Sequence, residues 1–531
     1  MRALTVGAAA LMLLGPSLAR AASPYEVGDN GSEQLGRAGA WVARASTALA
    51  VVENPAALAT QRAGVDVGMN LALKRSCFTR LKAIGDTTDD GFAPGASYPR
   101  VCDDGAALPV GYAALTFPVG ERSAIGFALA GPSGVPNARW PSFVDGRPAP
   151  QRYLALESTA LFAQPTIGLA HRVLPALSVG ASFAWGVAWV KSSAATAALP
   201  TAGQRPADND VKSTVEATDA FVPSGTLGAL ANLGPLLDVG VAYKLSAPID
   251  ARGDARTEVN AFAPRARDGD TSRVVYGDTS RADCGQAGGS ACGAGGNARV
   301  TIPMPMELKV GARFHLPRAR DAAPGRVRDP IADDVFDLEL DLEWTQSSVI
   351  DATRVRFPSD RGLGTIPVAG TAGVIPPVAD VPRDYRDVLG VRMGGEVSVV
   401  PRRLSLRVGG SYETRADRDA TQNVDVLAGA RVGVAAGATL RLVTGDAAAR
   451  ASAGPRTLDV SVGIAQVHVL GREASGGPGI GAFTGVPCAS GDASAGVCAD
   501  GTAAHRTPWA TNLGAMTAVV HLLHVGLGAT F

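Results

Sequence analysis

Hydrophobic and polar residues alternate with a period of two along most of the chain. Val65, Val67, Met69, Leu71 and Leu73 alternate with polar or small residues, and residues 336–344 place an acidic residue between each pair of large apolar ones. Successive side chains of a β-strand point to opposite faces, so each run predicts a strand with one apolar face. Many runs span roughly 10 to 15 residues, whereas ordinary strands average about 5 to 6.

Fourteen such windows follow one another with no helical pattern between them. They are residues 63–73, 108–118, 123–132, 151–172, 177–192, 211–232, 236–258, 298–315, 335–356, 385–400, 404–415, 422–442, 456–470 and 516–531. Short turns such as 120–122 alternate with long polar stretches such as 261–297, which is typical of outer-membrane barrels. Strands that cross a bilayer need about 9 to 11 residues and a closed sheet. The pattern predicts an all-β fold, a transmembrane antiparallel β-barrel of about 14 strands. A half-exposed soluble sheet is the alternative, because it alternates in the same way.

Both ends of the chain indicate export and membrane insertion. Residues 1–21 combine Arg2, an apolar run and a small-x-small site at Ala19-Arg20-Ala21, so we predict a signal peptide. A short membrane anchor is the alternative, although the run is short for a spanning helix. The last window places apolar residues on one face and ends on Phe531, which resembles the signal read by the outer-membrane insertion machinery. We therefore expect that machinery and outer-membrane lipid as partners, in the outer membrane of a Gram-negative bacterium.

The charge balance and the lack of catalytic motifs argue against a nucleic-acid-binding protein and against an enzyme. The chain has 49 Lys and Arg against 49 Asp and Glu, whereas nucleic-acid partners usually require a basic surface. The sequence has no GxSxG or HExxH motif, and its six His are scattered. We expect no enzyme activity, no nucleic-acid partner, no cofactor and no metal.

The six cysteines form three local pairs, Cys77 with Cys102, Cys284 with Cys292 and Cys488 with Cys498. An even number behind a signal peptide favours disulfides. Each pair falls within one polar segment between strand windows, so we predict three bonds that staple outer loops. Metal sites are the alternative, but no CxxC spacing accompanies the cysteines.

Residues 22–62 do not alternate and instead carry two short motifs. These are Gly36-Arg37-Ala38-Gly39 and Asn54-Pro55-Ala56. They resemble the N-terminal segment of the FadL-type outer-membrane transporters of fatty acids, a family that includes aromatic-hydrocarbon channels. The resemblance implies that residues 22–62 form a hatch plugging a barrel of residues 63–531, with Gly36, Arg37, Gly39, Asn54, Pro55 and Ala56 in gating. The alternative is that Asn54-Pro55 is only a rigid turn.

Two further stretches are similar to the same family. Residues 129–134, followed by Arg152-Tyr153, resemble the end of its third strand and the start of the next, and residues 243–248 resemble a later motif. The resemblance implies a kink in strand three that opens the wall sideways, at Gly131 and Pro132. Since Pro cannot donate to a strand ladder, Pro132 alternatively ends the strand at the outer rim.

If the apolar faces meet lipid, the acidic face of window 335–356 points into the lumen. We predict that Lys309, Arg313 and Arg392 on neighbouring windows balance these acids, and that Arg37 anchors the hatch to them; a cation-lined pore is the alternative. A fatty acid needs an apolar pocket with one cationic anchor, for which we favour Arg152.

These features favour a monomeric channel for passive uptake of hydrophobic small molecules, such as long-chain fatty acids or aromatic hydrocarbons, by lateral diffusion through the barrel wall. Two alternatives are a general porin or structural barrel, and a surface receptor or adhesin that uses stapled loops. An open water pore has no use for a hatch, so the motifs of residues 22–62 favour the transporter.

Overall fold

Fourteen antiparallel strands form a closed barrel. The computed structural model of the protein describes residues 30–84, 86, 90–104, 107–131, 137–196, 210–258, 261–262, 275–276, 298–318, 328–356, 358–359, 362–363, 366–367, 374–375, 380–444, 456–474, 493–494, 497–498 and 510–531. The first and last strands pair along their whole length, from Gly64 opposite Thr530 to Arg80 opposite Gly514, which closes the sheet. The predicted barrel is confirmed.

The barrel strands are β1 (Gly64–Arg80), β2 (Leu108–Val119), β3 (Ser123–Ala130), β4 (Glu157–Leu174), β5 (Leu177–Thr196), β6 (Val211–Asn232), β7 (Leu237–Ser246 and Ile249–Glu258), β8 (Ala298–Ile302 and Glu307–Pro317), β9 (Asp334–Thr345 and Ala352–Arg356), β10 (Val388–Val400), β11 (Leu404–Glu413), β12 (Arg431–Thr444), β13 (Thr457–Ala474) and β14 (Gly514–Thr530). The helices are α1 (Ser32–Gly36), α2 (Ala50–Glu53) and α3 (Pro330–Asp333), with 3-10 turns η1 (Pro55–Thr60), η2 (Ser347–Val349) and η3 (Asp419–Thr421). Short strands in the connections are Val101–Cys102, Ala138–Arg139, Phe143–Val144, Arg147–Pro148, Val275–Tyr276, Pro358–Ser359, Gly362–Leu363, Ile366–Pro367, Val374–Ile375, Val381–Pro382, Ala493–Ser494 and Val497–Cys498.

The period-two pattern separates an outer apolar face from an inner polar one. Leu338 and Leu340 of β9 are 48% and 46% exposed, whereas the alternating residues Glu339 and Asp341 are 0% and 1% exposed. The outward leucines face lipid and the inward carboxylates face the lumen. In the described residues, no helix has the length and apolar character needed to cross a membrane.

Every predicted window contains a strand, but several ends differ. β1 runs on to Arg80, seven residues past the predicted end, because it stays paired with β14. β12 starts at Arg431 and not at residue 422. Val424 and Leu427, inside the predicted window, are instead fully buried beneath the loops at that end of the barrel. Alternation therefore located the strands, while the loops decided where they end.

One of the three predicted disulfides lies in the described residues. Cys77 and Cys102 are bonded, and they face each other where the outer end of β1 pairs with the short strand Val101–Cys102. This bond therefore joins a strand to the following loop. Cys284, Cys292 and Cys488 lie outside the described residues, as does the side chain of Cys498, so the other two bonds stay predictions.

Candidate functional site in the barrel lumen

Residues 30–62, here called the N-terminal segment, lie inside the barrel. Helix α1 contacts β11 to β14, and η1 contacts β2 to β6 on the other side of the lumen. Its side chains are largely buried; Trp41, Arg37 and Leu58 are completely enclosed. The segment thus fills the space between opposite walls.

Two buried arginines attach the segment to an acidic wall. Arg37 donates to Asp337 Oδ1 at 2.6 Å and to Glu339 Oε2 at 3.4 Å. Arg44 pairs with the second oxygen of Asp337 and with Glu396 Oε1 at 2.8 Å. Both guanidinium side chains are fully buried, so each depends on these carboxylates to offset the loss of water. The predicted contact of Arg37 with the acidic face of β9 is confirmed.

The same acidic wall binds backbone amides. Asp341 Oδ2 accepts from the amides of Trp41 at 2.8 Å and Val42 at 3.1 Å. Glu339 Oε1 accepts from the amide of Ala43 at 2.7 Å. Residues 37–44 have no regular secondary structure, so these carboxylates satisfy amides that a helix or sheet would otherwise pair. Directional bonds of this kind fix the position of the chain.

Cations on neighbouring strands balance the acids, as predicted. Arg313 of β8 lies 3.0 Å from Asp337, and Arg392 of β10 lies 2.8 Å from Glu343. Lys309 lies 3.9 Å from Glu343 and 2.7 Å from Glu53 of the N-terminal segment. Arg407 of β11 adds a pair with Glu396 at 2.9 Å. The inward charges of β8 to β11 therefore form a paired network, which we call the charged wall.

The first motif turns the chain between α1 and the charged wall. The amides of Ala38 and Gly39 donate hydrogen bonds to the carbonyls of Leu35 and Gln34, respectively. Gly39 has φ +86° and Ala38 +53°, a left-handed conformation that glycine adopts without steric cost. Gly36 packs its backbone against β12, where an added Cβ would meet Gly437 Cα at 3.1 Å. The motif thus gives the chain a tight turn that aims Arg37 at β9.

The second motif is a buried turn held by one side chain. Asn54 is fully buried, and its amide donates to the carbonyls of Val42 at 2.9 Å and Ala229 of β6 at 3.2 Å. Its Oδ1 accepts from the amide of Ala56 at 3.3 Å, and Pro55 begins η1. Asn54 therefore joins the two halves of the segment to the barrel wall. Whether these residues gate a channel stays a prediction.

Beyond this turn, the contacts become apolar. Val51, Ala56 and Leu58 pack with inward alanines of β2, β3 and β4 and with Leu230 of β6. One charged side chain of this wall also contacts η1: Arg172 of β4 donates to the carbonyl of Ala59 at 2.7 Å. The lumen wall on this side is therefore shaped for non-directional packing.

A second piece of chain lies under the N-terminal segment at the end with short connections. The amide of Arg328 donates to the carbonyl of Thr60 at 3.0 Å. The Arg328 side chain binds Asp238 of β7 at 2.5 Å, and Asp329 binds Arg441 of β12 at 2.6 Å. These ion pairs attach residues 328–333 to well-separated strands across the mouth of the barrel.

The end of β3 is an interruption in the wall. Hydrogen-bonded pairing with β4 runs to Ala130 opposite Gln164 and resumes at Ala138 opposite Ser158. An added Cβ on Gly131 would lie 2.2 Å from the Phe162 carbonyl oxygen of β4, which only glycine avoids. Asn30 of the N-terminal segment donates to the Gly131 carbonyl at 2.5 Å. Pro132 lies outside the described residues.

Arg152 lies at the outer end of the barrel, between β4 and the loop beside it. It is buried, pairs with Asp210 at 2.7 Å and touches Tyr153. Burial raises the pKa of Asp210, while the Arg152 guanidinium opposes that shift. A ligand carboxylate would therefore have to compete with Asp210, and ligand binding by Arg152 stays a prediction.

An apolar patch lines the outer half of the lumen on β4 to β9. Its members are small or branched: Ala188, Val215, Ala217, Val222, Ile249, Ala251, Ala255, Ala298 and Val300, with Phe162 of β4 and Val355 of β9 packed against them. Sequence reasoning missed this patch, because its inward alanines and valines do not contrast with the outward apolar residues. It also missed Arg44 and Asn30, which lie outside both motifs.

Comparison with known proteins agrees with this geometry. Residues 14–448 match the family model described as outer membrane protein transport protein (OMPP1/FadL/TodX). A FadL homologue of Pseudomonas aeruginosa is similar in structure, with a TM-score of 0.63, 15% identity and coverage of 96% of this chain and 100% of that one. The toluene transporters TodX of P. putida (TM-score 0.57, 12% identity, 96% and 99% covered) and TbuX of Ralstonia pickettii (0.54, 13%, 95% and 98%) share the fold.

No curated protein matches the sequence significantly. The family match spans most of the chain, and it assigns both a location and a class of activity. The chain belongs to the OMPP1/FadL/TodX family of outer-membrane transport proteins, which are channels and not enzymes and which carry hydrophobic compounds across the outer membrane of Gram-negative bacteria.

Proposed function

We propose that the protein takes up long-chain fatty acids, or molecules of similar length and apolarity, and releases them sideways through the wall at the end of β3. The observation that carries this proposal is the position of Phe162. It packs against the apolar patch on β4 to β9, and its carbonyl faces Gly131 at the interruption of β3. An apolar molecule bound on the patch would therefore lie beside this interruption. The membrane lipid is directly outside the wall at that point.

The straight route along the barrel axis is obstructed, which favours a lateral exit. We propose that residues 22–62 act as a hatch, since the N-terminal segment contacts both sides of the lumen. Residues 328–333 lie beneath it, attached to β7 and β12. Both obstacles are held by buried charges that an apolar ligand cannot replace, so moving them is costly. A general porin would not benefit from either obstacle.

The exit is tested by uptake of labelled oleate in cells that express the protein. Pro132→Ala and Gly131→Ala are compared with the intact protein and with an empty vector. Gly111→Ala is the matched control, because a Cβ there would meet its nearest atom at an ordinary 3.7 Å. We expect uptake to fall severalfold in the first two variants and to stay unchanged in the control, at equal surface levels. Equal uptake in all variants would exclude an exit at β3.

The substrate class is tested with three probes. Oleate and methyl oleate share a chain but differ in charge, and toluene is small and aromatic. If Arg152 anchors a carboxylate, Arg152→Gln reduces oleate uptake and spares methyl oleate. Toluene uptake without oleate uptake would identify an aromatic-hydrocarbon channel. Influx of a small hydrophilic solute at a rate equal to the hydrophobic probes would instead support a porin.

A further inference from the structure

On three adjacent strands the continuous outward apolar band ends within one outward position of the same register, and Val519 and Leu470 are apolar exceptions beyond it. On β1 it ends at Leu73, on β13 at Ile464 and on β14 at Leu523, which are all about half exposed. The next outward positions are polar: Arg75, Gln466 and His521. Register places His521 opposite both Leu73 and Gln466, so the change from apolar to polar on the three strands falls within one outward step.

This line lies at the outer surface of the bilayer. Residues 65 to 73 of β1 span about 26 Å along the strand, or roughly 20 Å of depth at a tilt near 40°. The side chains of residues 65 and 73 extend this depth slightly at each end, so the total is close to the apolar band of about 25 Å found on such barrels. The band begins at the end of the barrel where β1 starts, β14 ends and the short connections lie. Its far edge therefore meets the outer leaflet.

Polar side chains surround Val519 just above this edge, and His468 Nε2 among them is hydrogen-bonded to Gln466 Nε2 at 2.5 Å. Arg75 lies beside it on β1 and His468 on β13. Arg100 reaches across from the following loop and donates to Thr517 Oγ1 at 3.3 Å. All of these except Val519 itself are exposed. They face outward, away from the lumen and from the transport route.

The two arginines lack carboxylate partners among the described residues. Glu473 is exposed nearby, opposite Ala515, but it lies a further step from the band and makes no ion pair with either arginine. At the same end of the barrel on the far side, Arg299 instead forms a bidentate ion pair with Asp250. Unpaired arginines at a lipid surface are suited to phosphate, which guanidinium binds through two parallel bonds.

We propose that Arg75 and Arg100, with His468 and His521 beside them, form a binding site for the phosphate of an anionic outer-leaflet glycolipid. The acyl chains of that lipid would lie along Leu73, Ile464 and Leu523 below. A bound lipid would tether the seam where β1 closes on β14. The site is separate from the lumen, so it does not depend on which molecule the channel carries.

The test is native mass spectrometry of the purified full-length protein, titrated with lipid A carrying both phosphates. Dephosphorylated lipid A and inorganic phosphate are the comparison probes. We expect the phosphorylated lipid to bind at least about tenfold more tightly than the dephosphorylated one. The Arg75→Gln/Arg100→Gln variant should lose this preference, and Arg75→Lys/Arg100→Lys should retain part of it.

Arg252→Gln is the matched control, because Arg252 is an exposed, outward arginine of β7 on the opposite side. It should bind like the intact protein. Heat-dependent gel mobility verifies that each barrel is folded. Equal binding of the two lipids, or an unchanged preference in the Gln variant, would overturn the proposal. Displacement of the lipid by inorganic phosphate at equal concentration would identify a free-anion site and overturn the lipid assignment.

Discussion

The two halves of the N-terminal segment are held in opposite ways. Residues 33–44 meet the charged wall through Arg37, Arg44 and backbone amides, each directed at a particular carboxylate oxygen. Residues 48–60 meet the facing wall largely through buried alanines, Val51 and Leu58. One contiguous piece of chain thus has a directional attachment and a non-directional one.

This difference indicates which half can move. Displacing residues 33–44 would leave guanidinium groups and carboxylates buried without partners, which is far more costly than losing some packing. The apolar half also faces the strands that lead to the proposed exit, while Asn30 touches Gly131 at that exit. We therefore expect residues 33–44 to stay fixed during transport and any yielding to occur in residues 48–60.

The largest expected effect comes from Asp337, which Arg37, Arg44 and Arg313 all contact. Asp337→Asn removes the charge that three buried cations share, so we expect docking of the segment to weaken by about 3–5 kcal/mol. Hydrogen exchange of residues 30–62 measures this. Asp384→Asn is the control, because its pair with Arg418 is exposed and should contribute less than about 1 kcal/mol. Equal protection in both variants would mean that the charged wall does not hold the segment.

A smaller effect is expected on the apolar side. Leu58 is fully buried, and Leu58→Ala should weaken packing by about 2–4 kcal/mol. The comparison predicts that exchange protection falls in residues 48–60 and persists in residues 33–44. Leu233→Ala, in an exposed turn, serves as the control. Loss of protection across both halves would show that they dock as one cooperative unit and do not move separately.

The barrel could be predicted because its physics is repetitive. A bilayer imposes alternation on every strand, so Leu338, Glu339 and their neighbours report their own orientation. The acidic face of β9 was readable for the same reason, whereas Arg37, which pairs with it, was identified by the resemblance of residues 36–39 to a family motif. The extent of β1 was not readable, because its outer end pairs with β14 above the membrane, where alternation carries no lipid-facing signal.

Most of the site could not be predicted from pattern alone. Arg44 lies in irregular chain, so no periodicity indicates its partners Asp337 and Glu396. The apolar patch is formed by side chains that strands from β4 to β9 bring together only when the barrel closes. The contact of Asn30 with Gly131 joins residues 101 positions apart. Such contacts depend on how the sheet closes. Alternation predicts that a closed barrel forms, but not which residues its closure brings together.

Asn54 connects the two halves, and its removal should have an intermediate effect. Asn54→Ala leaves the buried carbonyls of Val42 and Ala229 without their donor, which should cost about 1–3 kcal/mol. Because one bond ties residue 54 to Val42 in the charged half and the other ties it to β6 of the wall, exchange protection should fall moderately in both halves. Protection that falls only after residue 48 would mean that the bond to Val42 contributes nothing, and Asn54 would then be only the cap of η1.

The last expected effect is a pH dependence confined to the charged half. Burial favours the neutral form of Glu33, but Arg44 and Arg407 outweigh it and lower the pKa of Glu33 from 4.5 to about 2. A carboxyl whose pKa is lower when docked stabilises docking above its free pKa and loses that contribution as pH falls through the lower value. Protection of residues 33–44 should therefore be constant from about pH 7 to 5 and decline between about pH 4.5 and 2.

Other carboxylates titrate in the same range, so the measurement is the difference in exchange protection between the intact protein and Glu33→Gln. This difference should be present at pH 7 and vanish near pH 2. Since Glu33 also accepts from Trp41 Nε1 at 3.1 Å, indole fluorescence should follow the same difference. Parallel pH curves for the two proteins would mean that Glu33 keeps its ordinary pKa and that Arg44 and Arg407 act only through Asp337 and Glu396.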